Sequence, residues 1–307
     1  MAQPARADRA PASPVPAAVG RRSVTAWLTD FVALTKPRLN GLVVATSAAG
    51  YYLGAPQAPA LIPITQAVIG TTLVAAGSAV LNQVLERDTD ALMVRTRLRP
   101  LPDRRVGPLD AAIFGLLLSA AGIGILAFAS NLLAASLALA TLVIYVVVYT
   151  PMKRRSNLST IVGAIPGALP PLIGWAAGHG ALSSGGWALF AIVFFWQIPH
   201  FMAIAWLYRD DYGRAGFPML PVIDPAGKLA GQQALLYSLA LLPVSLIPAV
   251  LGVTTPTYFW LAMALGAALI WISWRFSAQP SQATARRLFF GSIIYLPLVW
   301  AAMIVTH

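Results

Sequence analysis

The most informative part of the sequence is residues 64–85, ITQAVIGTTLVAAGSAVLNQVL, followed directly by residues 86–105, ERDTDALMVRTRLRPLPDRR. The first segment has 22 residues without a charge, about the length that an α-helix needs to cross the hydrocarbon core of a membrane. The second segment has ten charged residues in twenty. The first unit that this sequence predicts is therefore a transmembrane helix that ends in a charged loop.

The same pattern recurs along the whole chain of 307 residues, in which 58% of the residues are hydrophobic and only 10% are charged. Such a composition excludes an ordinary soluble domain. Apolar segments of suitable length predict an all-α polytopic membrane protein with nine transmembrane helices. The predicted segments are residues 39–54, 64–85, 109–129, 131–150, 158–178, 187–207, 232–252, 256–274 and 288–306.

The distribution of charge predicts how the chain is oriented in the membrane. When the nine segments are threaded, every Lys and Arg lies before the first segment or in the loop after an even-numbered one. Positive residues collect in cytoplasmic loops, so we expect a cytoplasmic N-terminus and His307 on the outside. The net charge of +11 then reflects topology, and it gives no reason to expect a nucleic-acid partner.

The N-terminal residues 1–22, rich in Ala, Pro and Arg, predict a disordered tail in front of a single transmembrane domain, residues 23–307. At the start of that domain Ser23 is a candidate N-cap for a short interfacial helix, which we expect Pro37 to end. The chain has no cysteine, which excludes disulfides and thiolate chemistry. In the predicted interfacial helix, the apolar residues that recur at helical spacing are Trp27, Phe31 and Leu34.

The first polar cluster lies where the second apolar segment ends. Asn82, Glu86 and Asp90 are four residues apart, so a helix would present all three on one face, whereas Asp88 falls off that face. An oxygen-only set of amide and carboxylate groups suits Mg²⁺, which takes few protein ligands and shares phosphate oxygens. The cluster therefore predicts a magnesium site at the membrane surface.

Basic residues follow this cluster directly. Arg95 and Arg99 carry planar guanidinium groups that can hold phosphate oxygens in pairs. Carboxylates for a metal, followed by arginines for its anionic ligand, are what a diphosphate site requires. Lys153 and Arg154 could add a further anion contact, or could act only as a signal that orients the chain.

The second polar cluster lies around the end of the sixth apolar segment. If that helix continues to Asp211, His200 and Asp211 are three turns apart and share a face. We then expect the loops after the second and sixth segments to converge on one cavity. For His200 three roles remain open, namely an iron ligand, a general base and a hydrogen-bonded core histidine. The polar residues of this cluster are His200, Asp210, Asp211 and Tyr212.

Prolines inside two apolar segments indicate where a cavity lies. Each removes one backbone hydrogen bond and frees a carbonyl group that lipid cannot satisfy, so a kink facing a protein cavity is expected. These residues are Pro166, Pro170 and Pro171 in the fifth segment and Pro199 in the sixth.

The segments now assembled resemble the UbiA superfamily of intramembrane prenyltransferases, and within it the branch that acts on haem. The resemblance runs from residue 36 to the last apolar segment. Its most specific parts are residues 82–90, 93–102, 149–156 and 199–212. The sequence departs from the superfamily pattern at Gln83, which stands where a second Asp is usual, and at Asp210 and Asp211, which replace a more widely spaced set.

The resemblance implies transfer of a farnesyl group from farnesyl diphosphate to the vinyl group of haem B, with addition of water and release of diphosphate. It implies Mg²⁺ as the cofactor. The implied metal ligands, which are also the catalytic residues, are Asn82, Glu86, Asp90 and Asp211. The implied substrate-binding residues are Arg95, Arg99, Lys153, Arg154, His200, Asp210 and Tyr212.

Three other functions are compatible with parts of the pattern. A sister prenyltransferase acting on an aromatic quinone precursor would share the whole diphosphate site. A transporter could use kinked helices and intramembrane polar groups, although transport sites lie near the bilayer midplane. A non-catalytic haem-binding assembly factor would need His200 but not the metal cluster.

The resemblance also bears on the location of the protein. It implies the lipid bilayer of the bacterial cytoplasmic (inner) membrane, with the mitochondrial inner membrane as the alternative. Haem A synthase and oxidase assembly proteins are the candidate protein partners.

Overall fold

The computed structural model describes residues 23–58 and 60–307, and the tail predicted for residues 1–22 lies outside them. The described chain consists of α-helices joined by loops, of which the one between Asp90 and Pro108 is long, with one π-helical segment, Ile144–Tyr149, between the fifth and sixth helices. The helices are α1 Val24–Leu34, α2 Pro37–Gly54, α3 Leu61–Asp90, α4 Pro108–Ala129, α5 Leu132–Val143, α6 Thr150–Met152, α7 Ser159–His179, α8 Ser184–Leu207, α9 Arg209–Arg214, α10 Leu220–Ile223, α11 Lys228–Val250, α12 Pro256–Ala278 and α13 Gln282–Val305.

Eight helical segments in the described part of the chain are long and apolar enough to cross a membrane. They are α3, α4, the continuous segment Leu132–Met152, α7, α8, α11, α12 and α13. The remaining predicted span corresponds to α2, which has only 18 residues and begins with the polar sequence PRLN. The all-α polytopic class is confirmed, while the ninth crossing and the orientation of the two ends stay predictions.

The predicted interfacial helix is α1, and its N-cap is confirmed. The Ser23 hydroxyl accepts a hydrogen bond from the amide nitrogen of Ala26 at 3.2 Å. The helix already ends at Leu34, and Pro37 begins α2 instead of simply stopping α1. Between the two helices Lys36 adopts a left-handed conformation with φ of 50°, which turns the chain sharply.

Small residues let the helices approach closely, as is usual between membrane helices. A Cβ added to Gly174 of α7 would lie 2.0 Å from the carbonyl oxygen of Ser47 in α2. Likewise, a Cβ on Gly122 of α4 would lie 2.5 Å from the carbonyl oxygen of Gly70 in α3. The pairs α2–α7 and α3–α4 are therefore in backbone contact.

The loops that follow α3 and α9 meet at one end of the bundle. Met93 packs in one apolar cluster with Ala215, Phe217 and Met219, and all four side chains are buried. We call this end of the bundle, formed by residues 86–107, 153–158 and 208–228, the charged end. It brings together the two loops that carry the polar clusters, as the sequence predicted.

Candidate active site

The acidic face of α3 forms the floor of the site. The helix continues through Asp90, so Asn82, Glu86 and Asp90 do share one face, and their exposed fractions are only 1%, 5% and 1%. Asp88 points away, with 79% of its side chain exposed, and pairs with the neighbouring Arg87. The helical spacing therefore predicted correctly which acidic groups are buried together and which one is not.

Cations from three other segments face these oxygen atoms. The Lys36 ammonium donates to Asn82 Oδ1 at 3.3 Å, and Arg99 Nη1 donates to Asp90 Oδ2 at 2.8 Å. Lys153 Nζ donates to both carboxylate oxygens of Glu86, at 2.8 and 3.0 Å. Each oxygen group of the face thus has one basic partner.

The π-helical segment delivers Lys153 to this place. The Thr150 hydroxyl donates to the carbonyl oxygen of Tyr145 at 2.8 Å, and it accepts a hydrogen bond from Asn82 Nδ2 at 3.0 Å. A π-helical turn is uncommon and often lies at a functional site. Here it ties the end of this helix to α3 and directs the next basic residue, Lys153, toward Glu86, with the Tyr149 ring centroid 5.2 Å from its ammonium group.

The two lysines have pKa values that shift in opposite directions. Burial lowers the pKa of Lys36 to about 8, and the nearby charges of Arg99 and Lys153 lower it further. Burial also acts to lower the pKa of Lys153, but the neighbouring Tyr149 and Glu86 raise it above its ordinary value. Lys36 is therefore the cation whose charged form an added anion would stabilise most.

Lys36 is a site residue that sequence reasoning missed. It lies 46 residues before Asn82, and only the sharp turn between α1 and α2 brings its ammonium group to the acidic face. A left-handed conformation in a residue with a side chain is uncommon and is found more often at functional positions. The available signal was Pro37, which forces an abrupt start of α2 and so favours a turn just before it.

The loop after α3 contacts the α8–α9 region directly. The Asp211 carboxylate accepts a hydrogen bond from the backbone nitrogen of Val94 at 3.3 Å and forms an ion pair with Arg214. Arg95 lies between two tyrosine rings, with its guanidinium carbon 4.8 Å from the Tyr208 centroid and 4.6 Å from the Tyr212 centroid. The predicted approach of the two loops is confirmed, but the cavity lined by Lys36 and Tyr145 contains no residue of either loop, so their convergence on one cavity is not confirmed.

Two of the predicted substrate-binding residues stand farther from the acidic face. Asp210 is 82% exposed in its side chain and lies 3.9 Å from Arg209. Arg154 contacts the Thr89 hydroxyl at 3.4 Å, on the side of α3 next to the acidic face. Asp211, which is 8% exposed, is therefore the buried member of the aspartate pair.

The expectation that His200 and Asp211 share a continuous helical face was wrong. Helix α8 ends at Leu207, and Tyr208 has φ of −115° and ψ of 22°, which breaks the helix before α9. The register that would align the two side chains is lost at this break. His200 faces α13, whereas Asp211 contacts the loop after α3.

His200 occupies an aromatic niche between α8 and α13. Its ring stacks on Trp196 at 5.0 Å and on Phe289 at 5.2 Å, with interplanar angles of 18° and 21°. Its Nδ1 lies 2.8 Å from the Ser292 hydroxyl, which itself donates to the carbonyl oxygen of Phe289 at 2.8 Å. Since the hydroxyl proton is used there, Nδ1 is assigned as the donor, and the Nε2 lone pair is left available.

A cavity of about 150 Å³ opens next to the acidic face. It lies between α2, α3, α5 and α7, and its polar end is formed by Lys36 and Tyr145. Pro166 and Pro170 form part of its wall, which confirms that prolines of this segment face a cavity, while Pro171 instead packs on α2. The other wall residues are Leu39, Asn40, Val43, Ala75, Ser78, Ala79, Thr141 and Gly167.

The acidic face suits a metal that is shared with a ligand more than a metal enclosed by protein. Within residues 23–58 and 60–307, no three Asp, Glu, His or Cys side chains are grouped closely enough to hold a metal ion by themselves. The face nevertheless presents amide and carboxylate oxygens only, the donors that Mg²⁺ prefers. Mg²⁺ commonly takes one or two carboxylates and completes its coordination with water and phosphate oxygens, so these residues fit that ion.

The protein is a bundle of apolar helices. One end of it carries buried carboxylates and basic side chains that can bind phosphate oxygens, the features that an integral membrane prenyltransferase requires. In agreement, residues 43–294 match the UbiA prenyltransferase family. The chain belongs to this family.

Two relatives of high sequence identity indicate which kind of prenyltransferase this chain is similar to. The chain is 44% identical over 286 residues to the protoheme IX farnesyltransferase of Solibacter usitatus, a match that covers 90% of this chain and 98% of that one. It is also 44% identical over 282 residues to the protoheme IX farnesyltransferase of Opitutus terrae, covering 91% and 95% of the two chains.

Solved structures support the fold. A digeranylgeranylglyceryl phosphate synthase superimposes with a TM-score of 0.77 at 17% identity, over 91% of this chain and 98% of that one. A UbiA homologue from Archaeoglobus fulgidus, bound to GPP and Mg²⁺, gives a TM-score of 0.66 at 16% identity, over 89% and 99%. The UbiA-type fold is confirmed.

Proposed function

We propose that this protein transfers the farnesyl group of farnesyl diphosphate to a vinyl group of haem B. The observation that carries the proposal is the match of almost the full length to protoheme IX farnesyltransferases, together with the acidic face and its cations. The C–O bond to diphosphate breaks, and diphosphate leaves with the electron pair. The terminal vinyl carbon attacks the allylic cation, and water adds to the adjacent carbon with loss of a proton.

The leaving diphosphate is the group that needs the most stabilisation. Asn82, Glu86 and Asp90 would hold Mg²⁺ together with the diphosphate oxygens, and Asp211 would join them from the facing α9 region once the diphosphate is bound; the ion would supply charge neutralisation to the departing oxygens. The choice of Mg²⁺ is supported by a solved structure of similar fold, the UbiA homologue from Archaeoglobus fulgidus, which is bound to GPP and Mg²⁺. The residues stay proposals for this chain.

Basic side chains of the site would bind the diphosphate oxygens. Lys153 and Arg99 already direct donors at Glu86 and Asp90, at 2.8 Å each, whereas the Lys36 ammonium donates to the neutral amide oxygen of Asn82. An anion placed above this face would be reached by all three cations. Charge that develops on the leaving group is then met by groups already in position, which is the most effective form of electrostatic catalysis.

Four further side chains complete the proposed substrate contacts. Arg95, held between two tyrosine rings, keeps its planar donors in a fixed orientation, and Tyr212 is one of those rings. Arg154 and Asp210 lie at the rim of the charged end, where they would contact substrate only at its solvent side.

The apolar cavity would receive the farnesyl chain. Its walls are mostly apolar, and its polar end carries Lys36 and Tyr145 next to the acidic face. A chain bound there keeps the allylic cation away from water until the vinyl carbon attacks. Both the farnesyl chain and the porphyrin are soluble in lipid, so the bilayer can deliver them.

His200 would contact the haem iron through Nε2. The Ser292 hydroxyl fixes Nδ1 as the donor, and a neutral imidazole with one nitrogen held by a hydrogen bond is the usual form of a histidine ligand.

The cellular setting follows from the proposed reaction. An enzyme of haem modification with lipid-soluble substrates would lie in the bacterial cytoplasmic membrane, with the charged end on the cytoplasmic side. Its product would pass to haem A synthase or to assembly proteins of a terminal oxidase.

The test is to incubate membranes that contain the protein with haem B, farnesyl diphosphate and Mg²⁺, and to analyse the extracted haems by mass spectrometry. We expect the hydroxyethylfarnesyl haem, and we expect chelation or Asp90→Asn to abolish it. Asp88→Asn is the matched control, because Asp88 is exposed and off the acidic face. Prenylation of an aromatic quinone precursor, with haem B left unchanged, would refute the choice of acceptor.

A further inference from the structure

The cavity beside the acidic face has a closed end. Its wall residues farthest from Lys36 and Asn82 along the two helices are Val43 of α2 and Ala75 of α3. One helical turn beyond them, the Ser47 hydroxyl donates to the Thr71 hydroxyl at 3.3 Å, and both residues are buried. This hydrogen bond joins α2 to α3 across the line along which the cavity would otherwise continue.

Helix α7 closes the same level from the third side. A Cβ on Gly174 would lie 2.0 Å from the carbonyl oxygen of Ser47, and a Cβ on Gly50 would lie 2.1 Å from the carbonyl oxygen of Pro171. Backbone against backbone leaves no room for a chain to pass. The three helices therefore separate around the cavity and are in direct contact beyond it.

We propose that the contact between Ser47 and Thr71 is the end wall that sets the length of the prenyl chain this protein accepts. The inference rests on the proposed function, in that the chain of a prenyl diphosphate occupies this cavity. From Asn82 at the acidic face to Ala75 is seven residues, or about 10 Å of helix, and the wall lies one turn further. A chain with an additional isoprene unit would have to displace this wall or leave the cavity.

The first variant removes the wall. Ser47→Ala combined with Thr71→Ala deletes both hydroxyls and the Thr71 methyl group where the cavity ends. Thr72→Ala is the matched control, since Thr72 makes the same hydrogen bond to the carbonyl four residues earlier, 2.7 Å against 2.8 Å for Thr71, but takes no part in the contact between Ser47 and Thr71. A single methylene in an apolar pocket changes selectivity about 10- to 200-fold, so we expect the use of geranylgeranyl over farnesyl diphosphate to rise at least about tenfold.

The second variant fills the cavity. Ala75→Phe places a ring in front of the wall from α3, and Val43→Phe does so independently from α2. We expect either one to lower the use of farnesyl diphosphate relative to geranyl diphosphate, again by about tenfold or more. Two variants on different helices keep the test valid if one of them fails to fold.

The measurement is a competition of geranyl, farnesyl and geranylgeranyl diphosphates for haem B, with product ratios read by mass spectrometry. A ratio does not depend on the amount of folded protein. Opposite shifts in the opened and filled variants, with Thr72→Ala unchanged, are the expected result. Ratios equal to that of the wild type in folded variants would overturn the inference.

Donor binding separates this inference from the proposed reaction. Stabilisation of the purified protein by each diphosphate, measured as a thermal shift, needs no acceptor. If haem B is not prenylated by the wild type, the proposed function fails. The order of stabilisation by the three diphosphates, and its change in the variants, then still decides whether the wall limits chain length.

Discussion

Glu86→Gln tests the acidic face most directly, because Glu86 is buried and carries a defined ion pair with Lys153. The substitution keeps the shape and one oxygen but removes the charge. Side-chain exposure is 6% for Glu86 and 15% for Lys153, so the loss leaves a nearly buried ammonium group without its counter-ion. Breaking a buried pair costs about 3–5 kcal/mol, and the remaining exposure of Lys153 places this one near the lower value, about 3 kcal/mol.

Two different losses are expected from this variant. In a chain of this size about 3 kcal/mol corresponds to a fall of roughly 5 °C in apparent Tm. Turnover should fall by about 10²–10³, the usual effect of removing one preorganised electrostatic contact. Thermal unfolding in detergent and the haem product assay measure the two quantities on the same preparation.

The double variant Glu86→Gln with Lys153→Met separates the two losses. Replacing both charges by uncharged groups removes the unpaired ammonium, so we expect most of the stability to return. Turnover should stay low, since both a metal ligand and a diphosphate contact are gone. If Glu86→Gln keeps more than about half of the wild-type turnover at saturating Mg²⁺, against the 10²–10³-fold loss expected, Glu86 takes no part in the reaction.

Three further outcomes are expected. Arg95→Lys loses the planar group that stacks on two rings, so KM for farnesyl diphosphate should rise about tenfold with little change in stability; an unchanged KM would place the diphosphate elsewhere. His200→Ala should abolish the wild-type haem absorption spectrum, while Ser292→Ala should weaken haem binding only about 10- to 100-fold, and wild-type spectra in both would exclude iron ligation. Gly174→Ala should lower the free energy of unfolding by about 1–3 kcal/mol through overpacking, whereas Gly124→Ala, where a Cβ has nothing within 4 Å, should be neutral or slightly stabilising in thermal unfolding.

The acidic face shows what helical periodicity can predict. Asn82, Glu86 and Asp90 lie in one helix, and their spacing alone fixes a common direction for their side chains. No tertiary information is needed for that inference. The same reasoning failed for His200 and Asp211, because it assumed a continuous helix where Tyr208 breaks the chain.

The cations of the site show the opposite case. Arg95 was expected to contact phosphate, and its guanidinium group is held by two rings from another part of the chain. Lys36 was not assigned to the site, although it lies 3.3 Å from Asn82 Oδ1. Long side chains in loops have many accessible directions, and the packing of other segments selects among them.

The amino-acid sequence alone shows which segments are apolar helices, which loops are charged, and which polar residues share the face of α3. These features follow from forces within one segment, since in a membrane each helix satisfies its own backbone hydrogen bonds. The packing of the helices, by contrast, brings Lys153 to Glu86, ends α8 at Leu207, and joins α2 to α3 and α7 at Ser47. Those outcomes depend on how closely different helices approach, and that distance is set by small residues on facing helices and by the π-helical turn before Lys153, not by any local pattern.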